Sequence, residues 1–110
     1  MAERAERAEQ FAYVFEMIRP EMATNPAAWT PNDLRTYQRH AAYLERGADE
    51  GIVILAGRSL APGLAVCIFE AESEDAARAF MEADPFVSGG IMRATLYPFR
   101  VAFMRRNGAT

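Results

Sequence analysis

Few side chains in this chain can readily gain and lose a proton near neutral pH. Among 110 residues there is one histidine, His40, and one cysteine, Cys67. Imidazole titrates near neutrality and suits general acid–base work. The other chemical feature is the run Asp84-Pro85-Phe86, which follows a short helical pattern and precedes Val87-Ser88-Gly89-Gly90. A carboxylate set against one ring nitrogen of an imidazole fixes its tautomer and frees the other nitrogen to act. Each residue also has a plainer role. His40 lies at the edge of an apolar stripe, where polar-tipped side chains often sit. Asp84 can end a helix and accept from nearby backbone donors.

Other candidates weigh less. Arg58 follows a glycine at a strand end and is placed to bind an anionic substrate or simply to meet solvent. Tyr37 and Phe86 can line a pocket, or merely pack. Ser73 reads as a helix cap. Cys67 reads as a small buried residue with no electropositive neighbour to activate it. Gly89-Gly90 lacks the Lys and spacing of a phosphate loop.

The elements that must position these residues follow from periodicity. Residues 10–19 are rich in aromatic and β-branched types and predict a strand, with Phe11, Tyr13, Phe15 and Met17 on one face. A loop with Pro20 and Pro26 leads to Thr30-Pro31-Asn32-Asp33, a strong helix start. Leu34, Tyr37, Ala41, Leu44 and Ala48 recur at helical spacing, and Gly51 is a stop. Residues 52–57 and 63–70 are apolar runs joined by Arg58–Pro62, a hairpin-length connection. A second helix runs from Ser73 to about Glu82, with Ala76, Ala77, Phe80 and Ala83 as its buried side. Asp84 must leave the helix, because a residue before proline is pushed to extended backbone. A last strand spans about Ile91 to Met104, with Pro98 demanding an edge position or a bulge. The order β-α-β-β-α-β predicts an α+β, ferredoxin-like fold: a four-stranded antiparallel sheet with two helices on one face.

The chain is one domain over residues 10–104, flanked by a charged tail of residues 1–9 and a short tail of residues 105–110. All twelve basic residues are arginines, scattered along a chain of formal charge -3. A nucleic-acid surface calls for a concentrated basic stripe, so no such partner is expected. No run reaches the roughly 20 apolar residues of a membrane span. The N-terminus has no apolar signal region. One cysteine permits no internal disulfide, and a cytoplasmic setting is expected. One His and one Cys cannot supply the usual structural zinc set, which leaves only carboxylates to hold a metal; neither metal nor cofactor is part of the expected chemistry.

Two helices cover only one face of a sheet. Yet Leu64, Val66 and Ile68 alternate with Ala65, Cys67 and Phe69, so both faces are apolar. A sheet with one wet face alternates between apolar and polar residues. The uncovered face therefore predicts a homodimer formed sheet to sheet.

Several stretches resemble the YciI-like (YCII-related) family over about residues 10–104. They are Arg39-His40-Ala41-Ala42-Tyr43-Leu44, Glu50-Gly51, Ala56-Gly57, Ala71–Arg78 and Ala83-Asp84-Pro85-Phe86-Val87. The chain departs from the pattern in its long first loop and in Arg58, where proline is more usual. The resemblance implies a dimeric α+β barrel and an active site built on His40 and Asp84. Some members of the family are implicated in degrading chlorinated aromatics, with a dehydrochlorinase activity. The expected function is proton abstraction, leading to elimination or isomerisation of a small aromatic or enolisable molecule, without a cofactor. A non-catalytic ligand-binding or accessory domain is the alternative. A monooxygenase-like barrel is a third option, by analogy of fold alone.

Overall fold

A computed structural model describes residues 9–61 and 63–105. Residues 1–8 and 106–110 of the two expected tails lie outside the described residues, as does Pro62 in the strand connection. The chain runs β1 (Glu9–Met17), two 3-10 turns (Pro20–Ala23 and Pro26–Ala28), α1 (Pro31–Asp49), β2 (Val53–Arg58) and β3 (Leu64–Ala71). It continues with α2 (Glu74–Ala83), a one-turn helix α3 (Pro85–Ser88) and β4 (Met92–Pro98). All pairings are antiparallel and the strand order is β2-β3-β1-β4. This is the expected four-stranded ferredoxin-like sheet, with β4 at an edge.

β4 ends at Pro98 instead of continuing to Met104. Proline has no N–H for the ladder, and the chain beyond it is held by single bonds: Phe99 N–H to the Gln10 carbonyl and Val101 N–H to Gln10 Oε1. The stretch after Asp84, expected as a loop, begins with the helical turn α3. Asp84 itself is extended (φ −61°, ψ 124°), as the following proline requires, and its side chain caps that turn.

α1 starts as its sequence predicts and adds a reciprocal cap. Thr30 Oγ1 accepts from Asp33 N–H at 3.0 Å, and Asp33 Oδ2 accepts from Thr30 N–H at 2.9 Å. The same carboxylate takes a 2.7 Å ion pair from Arg19, tying the helix start to the end of β1. The helix is turned differently from its apolar stripe. Leu34, Tyr37, Ala41 and Ala48 are exposed, whereas Asp33, Thr36 and Gly47 are buried, with His40, Tyr43 and Leu44 half-buried. The reason is close approach. A Cβ on Gly47 would lie 2.8 Å from Val53 Cγ2, so the small and polar ridge is the one that meets the sheet. Gly51 follows at φ 81°, a conformation that favours glycine, and reverses the chain into β2. In α2, Ala77 and Met81 are buried, while the expected Ala76 and Ala83 are exposed.

The core lies between the helices and one sheet face: Phe11, Tyr13 and Phe15 of β1, Cys67 and Phe69 of β3, and Ala77, Met81 and Phe86 from α2 and α3. The other face carries Leu55, Leu64 and Tyr97, each about half exposed, with Val14, Val66 and Ile68 between them. Both faces are apolar, as the alternation indicates.

The Asp33 carboxyl is held below the usual carboxylate range, first by the Thr30 backbone bond and then by Arg19. A depressed native pKa adds stability above the unfolded value of about 3.9 and loses it as pH falls further. Asp33→Asn should therefore lower the thermal midpoint at pH 7, and the gap should close as the melts are repeated below about pH 4.

Candidate active site

The site is assembled around a carboxylate that has left its helix. α2 ends where Pro85 forbids its continuation, and this puts Asp84, fully buried, between β1, α1 and α3. Its Oδ1 accepts from Phe86 N–H at 2.9 Å and lies 2.7 Å from His40 Nδ1. Its Oδ2 accepts from the Tyr13 hydroxyl at 2.7 Å. Where Asp84 is the carboxylate it can only accept, and His40 then donates through Nδ1–H. That leaves Nε2 with no hydrogen-bond partner among the described residues, on a ring that lines a cavity.

The imidazole is held from several sides. Phe86 stacks on it with ring centroids 3.9 Å apart and planes 10° apart. Phe15 and Tyr37 approach at 5.9 Å and 6.4 Å. Phe86 thus binds Asp84 through its backbone and His40 through its ring.

The cavity is open and of about 690 Å³, between the exposed stripe of α1, the two 3-10 turns and the ends of β2 and β3. Trp29, Tyr37, Phe15, Met22 and Leu44 give it apolar walls. Trp29 is fixed by its indole N–H, which donates to the Met22 carbonyl at 2.8 Å. Among the described residues, no group of three or more His, Cys, Asp or Glu is placed to hold a metal ion.

Of the residues singled out by sequence, His40, Asp84 and Phe86 come together in one contact cluster. Tyr37 lies beside them, half exposed on the cavity wall. Arg58 lines the cavity from the far end of β2 and touches neither His40 nor Asp84 through any described hydrogen bond or ion pair. Ser73 caps α2 by accepting from Ala76 N–H. Cys67 is fully buried in the central strand β3, where burial pushes its thiol up to about 12 and keeps it protonated.

Sequence reasoning did not single out Tyr13 as a site residue. It sits on the core face of β1 like its aromatic neighbours, and only its hydroxyl distinguishes it. A buried Tyr O–H needs a partner, which is the one available signal. Burial, then Cys67 and Asp84, push its pKa far above the ordinary tyrosine range, so it remains a donor to Asp84. Tyr43 anchors α1 to α2 by donating to the Phe80 carbonyl at 2.8 Å, and burial raises its pKa to about 12.

Fold and site define a small ferredoxin-like α+β domain with a histidine–carboxylate contact at an apolar cavity. The YCII-related domain family model matches residues 14–100, and the chain belongs to that family. A search of curated proteins finds no match. The fold is similar to that of 5-chloro-2-hydroxyhydroquinone dehydrochlorinase (TftG) from Burkholderia phenoliruptrix AC1100, solved in complex with 2,5-dihydroxybenzoquinone. The TM-score is 0.60 at 22% identity, over 82% of this chain and 93% of that one.

Removing the Tyr13 hydroxyl leaves a buried carboxylate oxygen without its donor, which costs on the order of 2–3 kcal/mol. Tyr13→Phe should show that loss in urea unfolding. In ¹⁵N spectra the wild-type His40 should be the Nδ1–H tautomer, and Tyr13→Phe should keep it, because Oδ1 still faces the ring.

Proposed function

We propose that the protein is a small-molecule enzyme that abstracts a proton with His40 as general base and Asp84 as its orienting partner. The observation that carries this function is the 2.7 Å contact between His40 Nδ1 and Asp84 Oδ1, on a ring that lines the cavity and whose Nε2 has no partner among the described residues. Nε2 takes a proton from an acidic O–H or C–H of the bound molecule. The released electron pair then expels a leaving group, giving elimination, or is reprotonated elsewhere, giving isomerisation. Asp84 stabilises the imidazolium that forms, and Tyr13 and Phe86 N–H hold Asp84 in place.

The aromatic walls suit a small, hydroxylated aromatic substrate. Tyr37 and Phe86 pack against the bound ring, and Arg58 contacts it from the opposite end. TftG, of similar fold, is named as a dehydrochlorinase and was solved with a dihydroxybenzoquinone; this agrees with the substrate class and is compatible with elimination. No cofactor is invoked for proton transfer of this kind. Among the described residues no helix is long and apolar enough to cross a membrane.

General-base assistance is worth about 10²–10⁴-fold. A panel of chlorinated and unchlorinated hydroquinones, followed by chloride release and the accompanying proton release, should reveal turnover in wild type. His40→Ala should lower it by that factor while remaining folded. Full turnover in folded His40→Ala ends the proposal. Ligands that raise the melting temperature, with no turnover for any of the panel, would favour a binding module.

The same function is proposed for a twofold dimer. The outer sheet face exposes Leu55, Leu64 and Tyr97, each about half, beside the partly buried Ile68, and a contiguous apolar face of this kind marks an interaction surface. Packing it against its copy buries it in both chains. Light scattering at micromolar concentration should report two chains of 12.2 kDa, and a single-chain mass would refute the dimer.

A further inference from the structure

The cavity wall has an uneven charge. The chain carries 15 acidic residues against 12 basic ones, yet no Asp or Glu lines the cavity among the described residues. Apart from the imidazole, its one ionisable group of either charge is Arg58, setting aside the weakly acidic Tyr37. Arg58 has no ion pair or side-chain hydrogen bond among the described residues, so its guanidinium is not spent on a structural carboxylate.

Arg58 reaches this wall because of a break in register. Val53 pairs with Phe69 on the helix-covered face, but the pairing shifts between Val53 and Leu55. Strict alternation from Val53 would turn Leu55 and Gly57 inward and Arg58 outward. With one extra residue inserted, Ala56 pairs with Cys67 and Arg58 with Ala65, and both face the cavity side. Ala65 pairs in turn with Phe15, whose ring is 5.9 Å from His40. Neighbouring strands lie about 4.8 Å apart, so Arg58 and Phe15 are separated by about 10 Å of sheet. One substituted aromatic ring bridges that interval.

We infer that the cavity selects an aromatic molecule bearing a single anionic group, a carboxylate or phenolate, which pairs with Arg58 while the ring lies among Trp29, Tyr37 and Phe86 and the reacting proton faces His40 Nε2. The guanidinium offers a planar fork that fits a carboxylate, and the acid-free wall adds no repulsion. This assignment rests on the cavity being the substrate site of the proposed enzyme.

The probe pair is 4-hydroxybenzoate and 4-hydroxybenzamide, which share a shape and differ in charge. Trp29 is the sole tryptophan and lines the cavity, so its indole N–H resonance reports binding without ambiguity. In wild type the carboxylate should bind about 10-fold tighter than the amide, the size of one charge-assisted hydrogen bond at an open rim. Arg58→Gln should bring the two to similar affinity by removing the carboxylate's advantage. Added salt should narrow the wild-type preference. Equal binding in wild type, a preference that survives Arg58→Gln, or no shift of the indole by either compound would overturn the inference. Binding is read here without turnover, so a preference retained in His40→Ala separates a failure of the catalytic proposal from a failure of this one.

Discussion

A buried carboxylate is the constraint around which this domain closes. Asp84 is wholly removed from solvent, and a charge in that position is costly unless its oxygens are filled. Three donors fill them, and each comes from a different element: the Tyr13 hydroxyl from β1, Nδ1 of His40 from α1, and the backbone N–H of Phe86 from α3. Sheet, long helix and the turn after α2 must therefore meet at one point. The proline after Asp84 makes this possible, because it ends α2 and aims the carboxylate inward while its own missing N–H goes unneeded at the start of α3.

The same meeting point separates structure from chemistry in the histidine. Nδ1 serves the buried acceptor, while Nε2 has no hydrogen-bond partner among the described residues on a ring that lines the cavity. The stacked Phe86 ring covers one face of the imidazole and holds it in a defined orientation. α1 supports this by presenting its small and polar ridge to the sheet. Its apolar stripe is then free to form the cavity wall with Trp29 and the ends of β2 and β3. An apolar stripe on a helix usually marks the core. Here it marks a ligand-sized opening, because Gly47 against Val53 holds the other side of the helix close to the sheet.

Much of the fold was legible in linear order. Thr30-Pro31-Asn32-Asp33 announces a helix start through local hydrogen bonds alone, and Asp84-Pro85 announces a helix end through a local clash. Alternating apolar residues in β3 signalled two apolar sheet faces. Of the site, His40 and Asp84 were legible through the family resemblance, since nothing in spacing shows that residues 44 apart will touch. Tyr13 was hidden, because an aromatic on the core face of a strand looks the same whether or not its hydroxyl meets an acid.

Sequence by itself determined the order of elements, the stops and starts of α1 and α2, and the apolar character of both sheet faces, because each depends on neighbours within a few residues. Only the tertiary structure decided which ridge of α1 meets the sheet, where the Tyr13 hydroxyl ends, and that a one-residue shift in β2 turns Arg58 toward the cavity. Those outcomes depend on close approach, on the filling of a buried charge and on strand register. Each is settled between segments far apart in the chain, where local pattern carries no information.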